Sequence, residues 1–280
     1  MPKSHNLKYI AFIIPALVYV SALSIFPAAL SVYRSFLTPG GSYTFSNYSA
    51  LLHYGLVKAL IDTMLVSIGA LILQLFLALF IAMIMIKPFR GNRLFSSLVI
   101  IPYGISTVVS AFIFSQIFSA VGGYANSFIV DFGFRPIDWV ATSSSSLSVV
   151  VIADYWKNTP LVALILFSGL SGLSPSMYEA AKTDGAGAFR RFFSITLPNL
   201  APIMAIALLI RGVSEFNIFA LPLVIIGYNP PLITTLIYEF YQTSSTTIYY
   251  SYAASTILLF IILGYASIVL WKGGAKSYER

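Results

Sequence analysis

Cysteine is absent from all 280 residues. That absence excludes disulfides, thiolate catalysis and cysteine-based zinc sites. Histidine is almost absent too: His5 and His53 lie outside the apolar runs and show no metal-ligand spacing, so no metal site is expected. Charged residues make up only 9% of the chain, where soluble domains hold roughly 25%. No Gly-x-x-x-x-Gly-Lys-Ser/Thr stretch occurs, which removes the phosphate cradle of a P-loop ATPase. No Ser/His/Asp set or paired-carboxylate constellation stands out. No catalytic residue is therefore assigned, and the chain is not expected to be an enzyme.

Apolar residues fill the space. They make up 58% of the sequence, and mean hydropathy is +0.88. A soluble fold needs a polar exterior that this composition does not supply. Six runs are long enough to cross a bilayer, which takes roughly 20 apolar residues at helical rise. They lie at about 9–32, 59–86, 94–118, 147–170, 197–226 and 252–271. Lipid offers no partner to a free backbone group and the runs lack strict alternation, so helices are expected. The first run follows Lys3 and Lys8 and is longer than a signal-peptide core, so it reads as a retained span.

The net charge of +7 falls mainly in short loops on one side. Lys3, Lys8, Lys87, Arg90, Arg93, Lys182, Arg190, Arg191, Lys272, Lys276 and Arg280 share that side; Arg34, Lys58 and Arg135 fall on the other. Short loops rich in Lys and Arg stay cytoplasmic, which predicts both termini inside a multi-pass cell-membrane protein. Nothing in this distribution asks for nucleic acid. The remaining segments, 33–58, 119–146 and 227–251, then face outward; the first carries the sequon Asn47-Tyr48-Ser49, to be read as a glycosylation site or an unmodified turn.

Segment 171–196, between the fourth and fifth runs, carries Glu179-Ala180-Ala181, then Gly185, then Ile195-Thr196-Leu197-Pro198. Ser174-Pro175 reads as a helix start, with serine capping free N–H groups and proline suited to the first turn. Met177 to Lys182 favours helix, and Ala180 and Ala181 are small enough for close approach to another surface. Asp184-Gly185 ends the run, because glycine takes a left-handed backbone without strain. A second short helix follows through Arg190 and Arg191 into Pro198. Such a compact helix–turn–helix can transmit force; an ordinary amphipathic connection is the plainer reading.

This spacing resembles the cytoplasmic EAA loop of membrane subunits in binding-protein-dependent ABC importers. Trp156-Lys157, Pro160, Gly169-Leu170, Leu173-Ser174-Pro175, Phe193, Phe216-Asn217, Phe219 and Tyr252-Ala253-Ala254-Ser255 extend the likeness to carbohydrate permeases. Pro15, Pro27, Ser35-Phe36, Asn47-Tyr48, Arg90-Gly91 and Pro102 are similar to the MalF-like subunit of that group. Asp62-Thr63 differs from its usual Asn-Thr, and Ile225-Ile226-Gly227-Tyr228-Asn229-Pro230 from its usual Leu-Thr-x-Gly-Gly-Pro. The resemblance implies an all-α integral membrane protein, one permease domain over 1–280 with six transmembrane helices of type I ABC importer architecture. It implies that Glu179, Ala180, Ala181, Asp184, Gly185, Ile195, Leu197 and Pro198 couple the pore to an ATPase on a separate chain. ATP and magnesium then belong to that chain, and no cofactor is expected on this one. The implied partners are a second homologous permease subunit, two ABC ATPase subunits, an extracytoplasmic sugar-binding protein and the lipid bilayer. The implied substrate is a mono- or oligosaccharide, with glycerol phosphate or another small solute as the nearest rival.

Polar side chains inside the spans mark a second candidate region. A charge at the bilayer centre costs about 2.5–3.5 kcal/mol even on the mildest scale, so such groups face protein or water and are often functional. Asp154 and Lys157 are three apart and Arg211 and Glu215 four apart, so each pair shares a helix face and can neutralise itself. They read either as structural ion pairs or, with Trp156, Asn158, Asn217 and Tyr252, as the border of a sugar pathway. Sugar hydroxyls need donors and acceptors, and sugar C–H faces stack on aromatic rings. A secondary transporter driven by protons through Asp154 and Glu215 is the competing function; it leaves the loop spacing unexplained.

Overall fold

A computed structural model describes residues 13–275, with side chains to Lys272. Lys3, His5, Lys8, Lys276, Arg280 and the first residues of the first expected span lie outside the described residues. The architecture is all-α. Among the described residues five helices are long and apolar enough to cross a membrane, and a bent pair makes a sixth span if counted as one. In chain order the helices are α1 (Ile13–Ser35), α2 (Ser46–His53), α3 (Leu56–Met85), α4 (Asn92–Gly104), α5 (Thr107–Ile117) and α6 (Tyr124–Asp131). There follow α7 (Ser143–Ser171), α8 (Pro175–Thr183), α9 (Ala188–Phe216), α10 (Ala220–Ile225), α11 (Ile233–Thr243) and α12 (Ile248–Ala275).

The sequence read 94–118 as one run; the chain bends there by 94° between α4 and α5. Pro102 lies just before the bend, and Ile105 and Ser106 take extended backbone. The backbone oxygen of Ile105 would be stranded there, but the Lys157 ammonium donates to it at 2.9 Å. The run read as 197–226 also differs. Helix α9 begins earlier, at Ala188, and stops at Phe216, and α10 is a separate short helix. Residues Phe192–Thr196 of α9 form a π-turn directly before Pro198, whose missing N–H deletes one bond of the ladder. Segments 119–146 and 227–251 are not bare loops, since each contains a helix.

By its internal packing the chain divides into two units: 1–57 with 236–260, and 58–235 with 261–280. In the first, Tyr54, Phe240 and Tyr250 form a ring cluster with centroids 5.6–5.8 Å apart. The Arg34 guanidinium donates to the Tyr252 hydroxyl at 2.9 Å. Asn47 is buried and its Nδ2 donates to the carbonyls of Ser35 and Leu37, so both amide hydrogens are occupied in closing the turn after α1. The sequon therefore reads as a turn.

The second unit is built in layers along α3, α7 and α9. One apolar cluster gathers Val66, Phe114, Leu147, Val150 and Ile218. Another gathers Ala78, Ala82, Leu166, Leu170 and Leu200. Small residues bring the helices together, as lipid-embedded packing requires. A Cβ on Gly169 would lie 2.9 Å from Ile203 side-chain carbons, and one on Gly212 would lie 2.1 Å from the Tyr265 hydroxyl. Between the two clusters, in register on all three helices, lies a polar layer.

Candidate functional site

The polar layer is made by Gln74 of α3, Asp154 and Asn158 of α7, and Arg211 and Glu215 of α9. Gln74 and Glu215 are 0% exposed and Asp154 is 2% exposed. The Gln74 amide donates to Asp154 Oδ2 and to Glu215 Oε1, both at 2.7 Å, and its carbonyl accepts from Arg211 Nε at 3.2 Å. Arg211 also pairs with Glu215 and stands 3.5 Å from Asp154. Asn158 donates to Asp154 Oδ1 at 2.8 Å, and Ser67 of α3 donates to the Glu215 carbonyl. Buried charges are tolerable when paired and hydrogen-bonded in this way. The arrangement ties three helices at one level.

Of the two ion pairs read from sequence, Arg211–Glu215 is made and Asp154–Lys157 is not. Asp154 turns to α9 and α3. Lys157 reaches the α4–α5 bend, where its ammonium lies 5.6 Å from the centre of the Tyr103 ring. The bend supplies a carbonyl with no helical partner, and that outcompetes a carboxylate already saturated by Gln74, Asn158 and Arg211. Trp156 is half-buried and packs on Phe114 at 5.4 Å between ring centres. Asn217 is exposed just past the end of α9, next to exposed Ser214. Tyr252 belongs to the other unit. Gln74 is the hub, yet sequence reading passed over it, because one uncharged amide in an apolar run carries no pairing signal. The charged residues at 154, 211 and 215 were the only hint that a neutral partner had to exist. Asn126 was missed for a similar reason: it donates to Ser119, Ala120 and Ile137 carbonyls and accepts from the Ile137 amide and Trp139 indole, shaping loop 119–139.

The loop after α7 has its own geometry. Helix α8 begins at Pro175 behind Ser174, whose extended backbone suits a cap. The Ser174 hydroxyl bonds Ser176 and not a backbone amide, so the expected side-chain cap is not formed. At the other end Gly185 has φ +76°. The Gly185 amide donates to Lys182 O and the Ala186 amide to Ala181 O, a Schellman closure that needs a left-handed residue at this place. Glu179, Ala180 and Asp184 are exposed, and Ala181, Ile195, Leu197 and Pro198 are half-buried. The Tyr178 hydroxyl and Thr196 Oγ1 lie 3.0 Å apart and join α8 to α9. Phe189, 79% exposed, and Phe193, 48% exposed, pack with tilted rings 4.6 Å apart beside the short helical turn. Apolar rings and a compact helix thus stand free at the end of the unit that also carries Lys87 and Lys182.

Comparison with known proteins agrees with this construction. Residues 74–272 match the family described as binding-protein-dependent transport system inner membrane component. The chain is 33% identical over 206 residues to the trehalose/maltose transport system permease protein MalF of Thermococcus litoralis, covering 72% of this chain and 69% of that one. It is 28% identical over 270 residues to the sulfoquinovosyl glycerol transport system permease protein SmoG of Agrobacterium fabrum, covering 94% and 84%. Over 204 residues it is 31% identical to the sn-glycerol-3-phosphate transport system permease protein UgpA of Escherichia coli O157:H7, covering 71% and 67%. A chain of a bacterial alginate ABC transporter, solved with an alginate pentasaccharide-bound periplasmic protein, superposes with TM-score 0.76 at 18% identity, covering 95% of this chain and 93% of that one. With that fold and these relatives, the chain belongs to the inner membrane components of binding-protein-dependent transport systems, the permease subunits of ABC importers.

Proposed function

We propose that this permease conducts a neutral mono- or oligosaccharide inward, driven by an ATPase on separate chains that grip the α8 loop. The observation that carries the substrate reading is the state of the cations. Arg211 is held by two carboxylates, and Lys157 is committed to the Ile105 carbonyl. Neither is left to hold a phosphate, which disfavours glycerol phosphate. The name of the trehalose/maltose relative supports the same choice. Those of SmoG and UgpA belong to anionic solutes, against which the engagement of Arg211 and Lys157 weighs. Proton coupling through Asp154 and Glu215 is disfavoured because Arg211 and Gln74 hold both carboxylates.

In this reading Asp154, Asn158, Arg211 and Glu215 support the pathway as a rigid layer. Asn217 and Trp156, with Ser214 added by its exposure, are the candidate sugar contacts of one unit, and Tyr252 is the candidate contact of the other. Glu179, Ala180, Ala181, Asp184, Gly185, Ile195, Leu197 and Pro198 form and seat the coupling element. A second permease subunit, two ATPase subunits carrying ATP and magnesium, and an extracytoplasmic sugar-binding protein complete the assembly. Both termini and the α8 loop then face the cytoplasm, as the Lys and Arg count requires. ATPase closure pushes on α8 and, through Tyr178–Thr196, on α9, switching the pore between outward- and inward-facing states.

The test is ATP-dependent uptake by the reconstituted complex over a panel of neutral sugars and glycerol phosphate. Uptake of a neutral sugar that requires the binding protein is expected. Uptake of glycerol phosphate with no neutral sugar taken would overturn the substrate reading.

A further inference from the structure

The turn between α3 and α4 carries Arg90 and Arg93, both exposed. Neither forms an ion pair among the described residues. They border a cleft of about 1130 Å³ that runs along the start of α4 to Leu164 and Phe167 of α7. Its lining is mixed: Met85, Phe89, Ile100, Leu164 and Phe167 supply apolar surface beside Arg90 and Arg93, and Ile100 lies about two helical turns past Arg93 along α4. No Asp or Glu occurs in the sequence between Asp62 and Asp131, so no acid from this stretch competes for them.

The turn is built rather than loose. Asn92 donates to the carbonyls of Met85 and Lys87 and accepts from the Ser96 hydroxyl, which fixes α4 against the end of α3. Gly91, at φ +93°, makes the reversal possible. The Ser96 and Ser97 hydroxyls donate within the turn and helix, to Asn92 Oδ1 and Arg93 O. The arginines are left as the donors that face the cleft.

We propose that this cleft binds an anionic phospholipid, its phosphate between Arg90 and Arg93 and an acyl chain along the apolar wall toward Phe167. Arginine holds phosphate in a bidentate fork, and basic pockets at the cytoplasmic ends of transmembrane helices select anionic headgroups. The position fits a lipid because the cleft passes from the end of an apolar span to a polar turn, as a lipid passes from chain to headgroup. Two arginines without an acidic partner among the described residues favour an anionic lipid over a zwitterionic one. This inference rests on the proposed orientation, which puts the α3–α4 turn on the cytoplasmic side, and does not depend on which solute is carried.

The test uses the assembled transporter in nanodiscs. This chain has no native cysteine, so Ser97→Cys gives it a single site for a fluorophore at the cleft, with the assembly lacking Ser97→Cys as the labelling blank. Brominated phosphatidylglycerol is compared with brominated phosphatidylcholine as quencher. Stronger quenching by phosphatidylglycerol is expected, falling as salt is raised. Its preference should drop about fivefold for each of Arg90→Gln and Arg93→Gln. Lys87→Gln, a nearby cation outside the cleft, should leave the preference unchanged. Equal quenching by both lipids overturns the proposal, as does a preference that survives the double arginine variant or falls equally with Lys87→Gln. So does a label shielded from both lipids, which would show the second permease subunit covering the cleft. A double variant that does not assemble leaves the salt titration of the Ser97→Cys protein to decide.

Discussion

Replacing Gln74 with leucine keeps the side chain close in size but strips the polar layer of its hub. Three bonds are lost: those to Asp154 Oδ2 and Glu215 Oε1, and that from Arg211 Nε. Interhelical polar bonds in membranes are worth on average about 0.6 kcal/mol and at most about 1.7. Three of them give roughly 2–5 kcal/mol, and burial of the carboxylates places Gln74→Leu toward the upper part of that range. Asp154 keeps Asn158 and Arg211, and Glu215 keeps Arg211, so the layer is weakened and not abolished. For a chain of this size each kcal/mol shifts the unfolding midpoint by roughly 2–4 °C, so a loss of about 7–20 °C is expected. The assay is the fraction of monodisperse purified protein left after graded heating in detergent. Combining Gln74→Leu with Glu215→Leu should cost clearly less than the sum of the two single changes, because they break a shared network. A Gln74→Leu protein as heat-stable as wild type, or strictly additive effects, would refute the view that Gln74 organises the layer.

Single cysteines at Ser42, Ser127 and Ser244 should react with an impermeant thiol reagent added to intact cells, and one at Ala186 should not; labelling at Ala186 would reverse the proposed orientation. Gly185→Val forces a β-branched residue to φ +76°, a strain of order 1–3 kcal/mol, and should yield an inserted subunit that retains its ATPase partner poorly. Normal substrate-stimulated ATP hydrolysis by that variant would contradict the coupling role. Gly212→Ala should destabilise by about 1–3 kcal/mol through overpacking against Tyr265, read as earlier loss of monodisperse protein on heating. Measured in a Tyr265→Ala background, Gly212→Ala should cost clearly less than it does alone, and an undiminished cost would mean the collision is not its source.

What the sequence made legible followed from strong local constraints. Long apolar runs have one solution in lipid, so the helices at 56–85, 143–171 and 248–275 were visible as runs before any packing was known. Gly185 was legible because a helix that must stop within two residues needs a left-handed position. The α4–α5 bend was not, because Pro102 and Gly104 each occur inside straight helices as well. The bend leaves the carbonyl of Ile105 without a helical partner, and what satisfies it is a lysine fifty-two positions later. The same limit explains Lys157 and Asp154. Helical spacing shows which side chains share a face, but it cannot show that each finds a better partner on another helix. Gln74 marks the limit most clearly. Its part in the protein is to let Asp154, Glu215 and Arg211 share one buried level, and that part exists only when three helices, distant in sequence, bring their polar positions into register between two apolar clusters.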